Sequence, residues 1–328
     1  MYKEAEYVER CKARGLDEAG VAAALGRVRA LEKEAAGPHG TLKGVGLAAV
    51  EKHVTSLAAA GGEDEAGVMA LARYFAVLGE DAITIRLLAY LLPVGVLPAM
   101  AERLETLEGK AARERVMRGV TVPPVGAAPE DYPAGTAAFT KALEAELGAA
   151  KAHRVLAWNV HGIPAAAYAE ERERYLEAAS VDEWLLGFHE RKVATLARHA
   201  ADGTLWFEQK ITPAVVDFVR DNPEILGGVR KGDTLYVTKI PYDPDRYLKS
   251  GDRLERRRLA CHCPLAASSI TAEGAGVPSL WCSCSAGYEK FIFDTVFGVE
   301  LEAEVLASAL AGDELCRYAL RLPPSVKR

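Results

Sequence analysis

The sequence predicts an α+β protein: a helical N-terminal half followed by an α/β unit built on an antiparallel sheet. Three observations carry this. Val21, Leu25, Val28 and Leu31 recur at helical spacing. Residues 234–240 are rich in β-branched and aromatic side chains, as strands are. Residues 299–305 and 316–322 alternate strictly, with Gly312-Asp313 between them, which predicts a terminal antiparallel hairpin with acidic residues outward and Cys316 inward.

Taken in order, residues 1–120 read as one helical domain, punctuated by Gly15 and Gly37, with further helices near 41–60, 65–79 and 82–107. His39 and His53 are isolated, and Cys11 sits in a polar opening helix as a bystander. This half offers a helical layer or a surface for homo-oligomerisation. Residues 121–136 hold four prolines and two glycines and read as a linker. The second domain, 137–328, resumes with helices. Ser180 and Glu183 fit a capping box, opening a helix to about Ala201. On it, His189 shares an apolar face with Val193 and reads as a satisfied core histidine. Residues 205–207 are strand-like, Thr212-Pro213 starts a helix, and a short helix follows Pro244. Leu259-Ala260 leads, as a strand, into a cysteine pair, after the basic run Arg256-Arg257-Arg258. Pro264 opens a helix to about Ala272.

Four of the six cysteines form two Cys-x-Cys pairs about twenty residues apart: Cys261-His262-Cys263-Pro264 and Trp281-Cys282-Ser283-Cys284. Two soft dithiol units facing each other are what a thiolate metal site needs. Cys261, Cys263, Cys282 and Cys284 are therefore candidate metal ligands, with zinc the expected ion and iron or an iron–sulfur cluster the alternative. Buried structural thiols, a redox dithiol pair and a disulfide between the two pairs stay open. A disulfide within one pair is disfavoured on an extended strand, where residues i and i+2 stand about 6.5–7 Å apart. His262, between two cysteines on a strand, points away from its neighbours' face. The second pair precedes a helix starting near Ala286, whose free N–H groups favour thiolates.

Candidate proton-moving groups are His161, Glu208, His262 and Tyr288. His161 lies at an element end, in Trp158-Asn159-Val160-His161-Gly162-Ile163-Pro164, where a helix-capping role competes with a site role. This turn and the Trp206–Gln209 stretch mix bulky apolar groups with a few polar ones, so both are expected to wall a ligand pocket against the cysteines.

Composition narrows the class. The chain has 328 residues, half of them hydrophobic and 26% charged, an ordinary globular balance. A net charge of −6 argues against general nucleic-acid binding. The apolar run 87–100 is short for a membrane span and holds Pro93 and Pro98. The opening residues are polar and acidic, without a signal-peptide pattern. A cytoplasmic location with reduced thiols is expected.

Several stretches together resemble an uncharacterised bacterial family: Asn159-x-His161-Gly-Ile-Pro, Trp206-Phe-Glu208-Gln209, Thr238-Lys-Ile-Pro-Tyr242, Cys261-His-Cys-Pro264 and Trp281-Cys-x-Cys-Ser-Ala-Gly287. The C-terminal helix, alternating strand, Gly-Asp and second strand resemble the end of the 4-vinyl reductase domain and of the related L-2-amino-thiazoline-4-carboxylic acid hydrolase group. The resemblance covers roughly residues 150–322. It implies a 4-vinyl-reductase-like antiparallel sheet with a small-molecule pocket near the cysteines. It straddles ligand sensors and hydrolases. The expected function is a small-molecule enzyme with a thiolate-bound metal that hydrolyses a C–N or C–S bond. A non-catalytic small-molecule or metal sensor and a metal-free thiol enzyme are the alternatives.

Overall fold

Alternating helix formers and glycine stops set the first half. The computed structural model describes residues 1–35, 40–61, 65–271, 274 and 276–326; Gly37, His39 and Ala272 lie outside the described residues. Residues Met1–Val94 and Val122–Tyr132 form one unit. It carries α1 (Glu4–Ala13), α2 (Glu18–Ala35), α3 (Leu47–Ala59), α4 (Glu65–Leu78) and α5 (Asp81–Leu91). The helical stripe Val21, Val28 and Leu31 is buried against Tyr7, Val50, Val54, Tyr74 and Phe75, with Leu25 packed at its edge. Cys11 is fully buried in that core, as a small apolar side chain. The Tyr7 hydroxyl donates to the Ala70 carbonyl at 2.9 Å, so α1 is pinned to α4 by a satisfied buried polar group. Arg86 on α5 grips Glu130 with both terminal nitrogens, tying the 122–132 stretch to the helices.

The helix expected over 82–107 is two helices. Leu92–Gly95 turns, and Gly95 takes a left-handed φ of 75°, which only glycine adopts freely. Among the described residues, Asp81–Glu108 is the one stretch long and apolar enough to cross a membrane by length and composition.

The second unit comprises Gly95–Thr121 and Pro133–Arg328. The stretch expected as a linker is thus divided, and two helices of the first half belong with the C-terminal part. In order the unit contains α6 (Val96–Glu108), α7 (Lys110–Met117), α8 (Tyr132–Leu147), α9 (Ala149–Leu156), α10 (Ala169–Glu177), α11 (Val181–Asp202), the small hairpin β1 (Leu205–Trp206) and β2 (Gln209–Lys210), and α12 (Pro213–Arg220). Then come β3 (Val229–Lys231), β4 (Thr234–Thr238), α13 (Pro244–Lys249), α14 (Arg253–Ala260), α15 (Ser283–Phe297), β5 (Glu302–Ala307) and β6 (Arg317–Arg321). The sheet has order β3-β4-β6-β5, antiparallel throughout. The protein is α+β, with a helical N-terminal half and a C-terminal antiparallel sheet.

Period-2 alternation fixes the sheet's faces. Leu235 and Val237 of β4 and Leu320 of β6 pack on Trp184, Leu185 and Phe188 of α11 and on Phe293 and Val296 of α15. Glu302 and Glu304 face outward on β5, as expected. The capping box is present: the Glu183 amide donates to the Ser180 hydroxyl at 3.1 Å, while the Glu183 carboxylate accepts from the Ala179 amide. His189 is buried and its Nε2 meets the Val219 carbonyl at 3.0 Å, the satisfied core histidine expected.

Two local expectations fail. The lead into the first cysteine pair is the helix α14, not a strand, because Asp252 caps it by accepting the Glu255 amide at 2.7 Å. Its arginines are tethers: Arg257 donates to the Ala309 carbonyl and Arg256 pairs with Glu314. After Pro264 the chain makes turns and a 3-10 segment, Ala267–Ile270, in place of a full helix.

Candidate functional site

The site is assembled where the sheet ends. β4 and β6 pair in register as far as Thr238 and Arg317. One residue further, the Lys239 amide donates to the Cys316 carbonyl at 2.9 Å. The chain then passes α14: the Asp243 amide donates to the Leu259 carbonyl, and His262 Nε2 meets the Ile240 carbonyl at 2.6 Å. A carbonyl only accepts, so Nε2 carries the proton. Burial and the Lys239 charge hold His262 well below its ordinary pKa, which keeps it neutral.

The second pair arrives on α15. Cys282 occupies the N-cap position and Cys284 the first turn. The close approach of this helix rests on Gly287, where an added Cβ would stand 2.1 Å from the Trp158 nitrogen. Ser283 is fixed from below by His153 Nδ1 at 2.8 Å. All six cysteines are free thiols.

Five of them share one electrostatic neighbourhood. Burial first, then Cys263, Cys316 and Cys282, push the Cys261 thiol well up. Burial and Cys316 push Cys282 up to about 12, with the Ser308 hydroxyl opposing. Cys284 is raised by burial and then by Cys263, and Cys316 by burial. The favourable N-terminus of α15 therefore loses to desolvation in the protein alone. Burial raises the Cys263 thiol too, against several opposing groups. Its sulfur accepts the Trp281 indole N–H at 3.3 Å, and the Leu265 and Ala266 amides and Lys239 further oppose the effect of burial.

Lys239 is the hub. Its ammonium lies 3.4 Å from the Glu289 carboxylate and 4.7 Å over the Tyr288 ring. Burial alone would lower its pKa, but Glu289, Tyr288, Cys316 and Cys263 reverse this and keep it charged. His161 packs edge-on against Tyr288 at 5.7 Å between centroids. Its pKa is lowered by burial and by Lys239. Glu208 is raised by burial, with Lys239 opposing. Tyr288 is raised by burial and Glu289, and Glu208 adds to this. Lys192 and Tyr168 also feel the Glu289 charge.

These groups are in part exposed and yet desolvated. His161 and Tyr288 are exposed, and Cys261, Cys263, Cys282, Cys316, Lys239 and Glu208 are half-buried. Yet removal from water is the first influence on each of these groups.

The structure thus brings His161, Glu208, His262 and Tyr288 to Lys239, and Cys261, Cys263, Cys282 and Cys284 to one another. Among the described residues, no three His, Cys, Asp or Glu side chains stand as a group that could hold one metal ion. Asn159 spends its side chain closing its own loop, donating to the Ile163 carbonyl and accepting the Ile163 amide. Sequence reasoning missed Lys239, Glu289 and the fifth thiol, Cys316, as site residues. The available signal was a lysine ending a β-branched strand and a cysteine starting one, both at positions that turn toward the core.

Residues 243–325 match a family of unknown function (DUF6144). That match contains both cysteine pairs, Tyr288, Glu289 and Cys316, and leaves out Lys239, Glu208 and His161. No curated protein and no solved structure matches the chain.

Proposed function

We propose that this protein is a small-molecule enzyme whose reacting group is the Cys263 thiolate. The observation that carries the reading is the polarised sulfur: the Trp281 indole N–H at 3.3 Å, with the Leu265 and Ala266 amides and the Lys239 ammonium beside it. These groups stabilise the thiolate against burial, which on balance still raises the thiol's pKa, so the proton leaves as the sulfur attacks. The chemistry that suits them is attack of sulfur on a polarised carbon. The C–N or C–S bond to the leaving group breaks, the leaving group takes a proton from Tyr288, His161 or Glu208, and water then releases the acyl-type intermediate. Lys239 holds negative charge on the substrate. The resemblance to the hydrolase group supports the hydrolytic direction, and the free cysteines supply the thiol this reading requires.

One observation favours a second reading, a soft metal centre. Cys261, Cys263, Cys282 and Cys284 are all pushed toward the neutral thiol by burial while standing near one another. Bound zinc or an iron–sulfur cluster would deprotonate them, because ligation and proton release are coupled.

Elemental analysis of the purified protein, followed by iodoacetamide labelling mapped residue by residue, separates the readings. The first expects Cys263 to label fastest and no stoichiometric metal. About one zinc or iron centre per chain, with labelling released by a chelator, would replace it with the second. Metal-free protein whose half-buried cysteines all label at one rate would end both and leave a non-catalytic sensor.

A further inference from the structure

A concavity lies on one face of α15. Glu289 pairs with Lys239; Lys290, the next residue, is turned about 100° away on the helix. Lys290, Phe291 and Asp294 line a cleft of about 380 Å³ with Arg103, Trp158 and Glu300. That volume is in the range of small-molecule sites, about 300–1,000 Å³.

The cleft holds two carboxylates, Asp294 and Glu300, and two cations, Lys290 and Arg103, and both carboxylates sit on Lys290. Lys290, itself buried, lies 2.6 Å from Asp294 and 3.4 Å from Glu300. Asp294 also accepts the Leu301 amide at 2.8 Å. The Trp158 indole N–H is spent on the Met100 sulfur at 3.2 Å. Arg103 is different. Its guanidinium lies 5.4 Å over the Trp158 ring, and among the described residues it has no carboxylate partner. Its Nε is buried and makes no hydrogen bond. The guanidinium stands over the indole, and with Nε buried its two terminal nitrogens are the donors that a carboxylate can meet. Phe291 and Val299 supply apolar wall beside it.

We propose that this cleft binds a small organic carboxylate with a flat apolar body, its carboxylate on Arg103 and its body against Trp158 and Phe291. The site is distinct from the thiol cluster and from the reaction proposed there. The test uses the full chain with benzoate as probe and benzamide as its uncharged counterpart. The Trp158 indole N–H resonance, assigned with W158F, and calorimetry are the readouts. Saturable benzoate binding that shifts the Trp158 resonance is expected, with affinity at least about tenfold above benzamide, since a charge-assisted pair separates the two. R103M keeps the apolar stem over the indole and should reduce benzoate to the benzamide level. Equal binding of the two probes to the native protein, no binding of benzoate, or undiminished benzoate binding by folded R103M would each overturn the proposal. The probe comparison stands even if R103M misfolds.

Discussion

The Lys239 amide donates to the Cys316 carbonyl at 2.9 Å, one step beyond the last paired residues of β4 and β6. This bond makes the site a consequence of sheet register. Leu235 opposite Leu320 and Val237 opposite Tyr318 are buried pairs. A slip by one residue would turn them all to the wrong face. The register that buries them also sets Lys239 beside Cys316, and the two Cys-x-Cys pairs come to this point from helix ends.

Lys239→Met should expose the worth of the hub. Both members of the Lys239–Glu289 pair are shielded, with side chains 13% and 15% exposed. Removing the ammonium leaves a carboxylate in a poorly solvated place. The cost should fall between that of a surface pair and that of a fully buried one, about 2 kcal/mol. Urea unfolding of K239M, E289Q and the double variant measures it. Strictly additive losses would show that the two groups do not support each other.

Trp281→Phe should slow labelling of Cys263. The indole N–H stabilises the thiolate, so its loss raises the thiol pKa further and lowers the thiolate fraction at a fixed pH. A hydrogen bond worth about 1 kcal/mol corresponds to roughly fivefold in rate. The readout is the iodoacetamide rate constant at pH 8 for Cys263 against that for exposed reference thiols. An unchanged or faster rate would remove Trp281 from the proposed role.

Much of the scaffold was legible because it rests on local rules. The Val21–Leu31 stripe, the Ser180 cap and the 299–322 alternation depend on neighbours three, four or two positions away, and each is present. Each cysteine pair was legible for a similar reason, since residues two apart in the chain stay close in space. Lys239, Glu289 and Cys316 were not. Their meeting depends on strand register and on the angle at which α15 crosses, and neither is written within any short window. The first pair was misjudged as strand-borne because Leu259-Ala260 is apolar. The Asp252 cap, seven residues before Leu259, decides for helix.

The pair Glu224–Arg317 predicts an acid-dependent loss of stability. Two hydrogen bonds from Arg317, at 2.6 and 2.8 Å, hold the Glu224 carboxyl below the usual carboxylate range, and the Thr238 hydroxyl adds to this. A depressed folded pKa gives stability that is present above the unfolded value, about 4.3, and lost as pH falls through the folded one. Solvent reaches both side chains, so the contribution is about 1 kcal/mol. Glu224→Gln should therefore be less stable than the native protein at pH 7, with the gap closing as the pH falls below the unfolded carboxyl value. Thermal unfolding across this range checks it, and a gap independent of pH would contradict the ion-pair account.

The same substitution at two glycines should act with opposite sign. At Gly287 an added Cβ would meet backbone: the Trp158 nitrogen at 2.1 Å, the Trp158 oxygen at 2.5 Å and the Ala157 carbonyl carbon at 2.6 Å. Backbone cannot rotate away as a side chain can, so α15 itself must withdraw from the 157–163 loop. Gly287→Ala should cost about 3 kcal/mol, at the upper end of overpacking effects. It should also disturb the Lys239 cluster, because Tyr288 and Glu289 follow on the same helix and His161 on the same loop. At Gly26, within α2, nothing lies within 4 Å of the added Cβ. There alanine should stabilise by about 0.5–1 kcal/mol through helix propensity and a less flexible unfolded chain. Denaturant unfolding of both variants tests the pair. Were G287A as stable as the native protein, the Ser285-Ala286-Gly287 sequence would owe its small residues to something other than the crossing of α15 over Trp158.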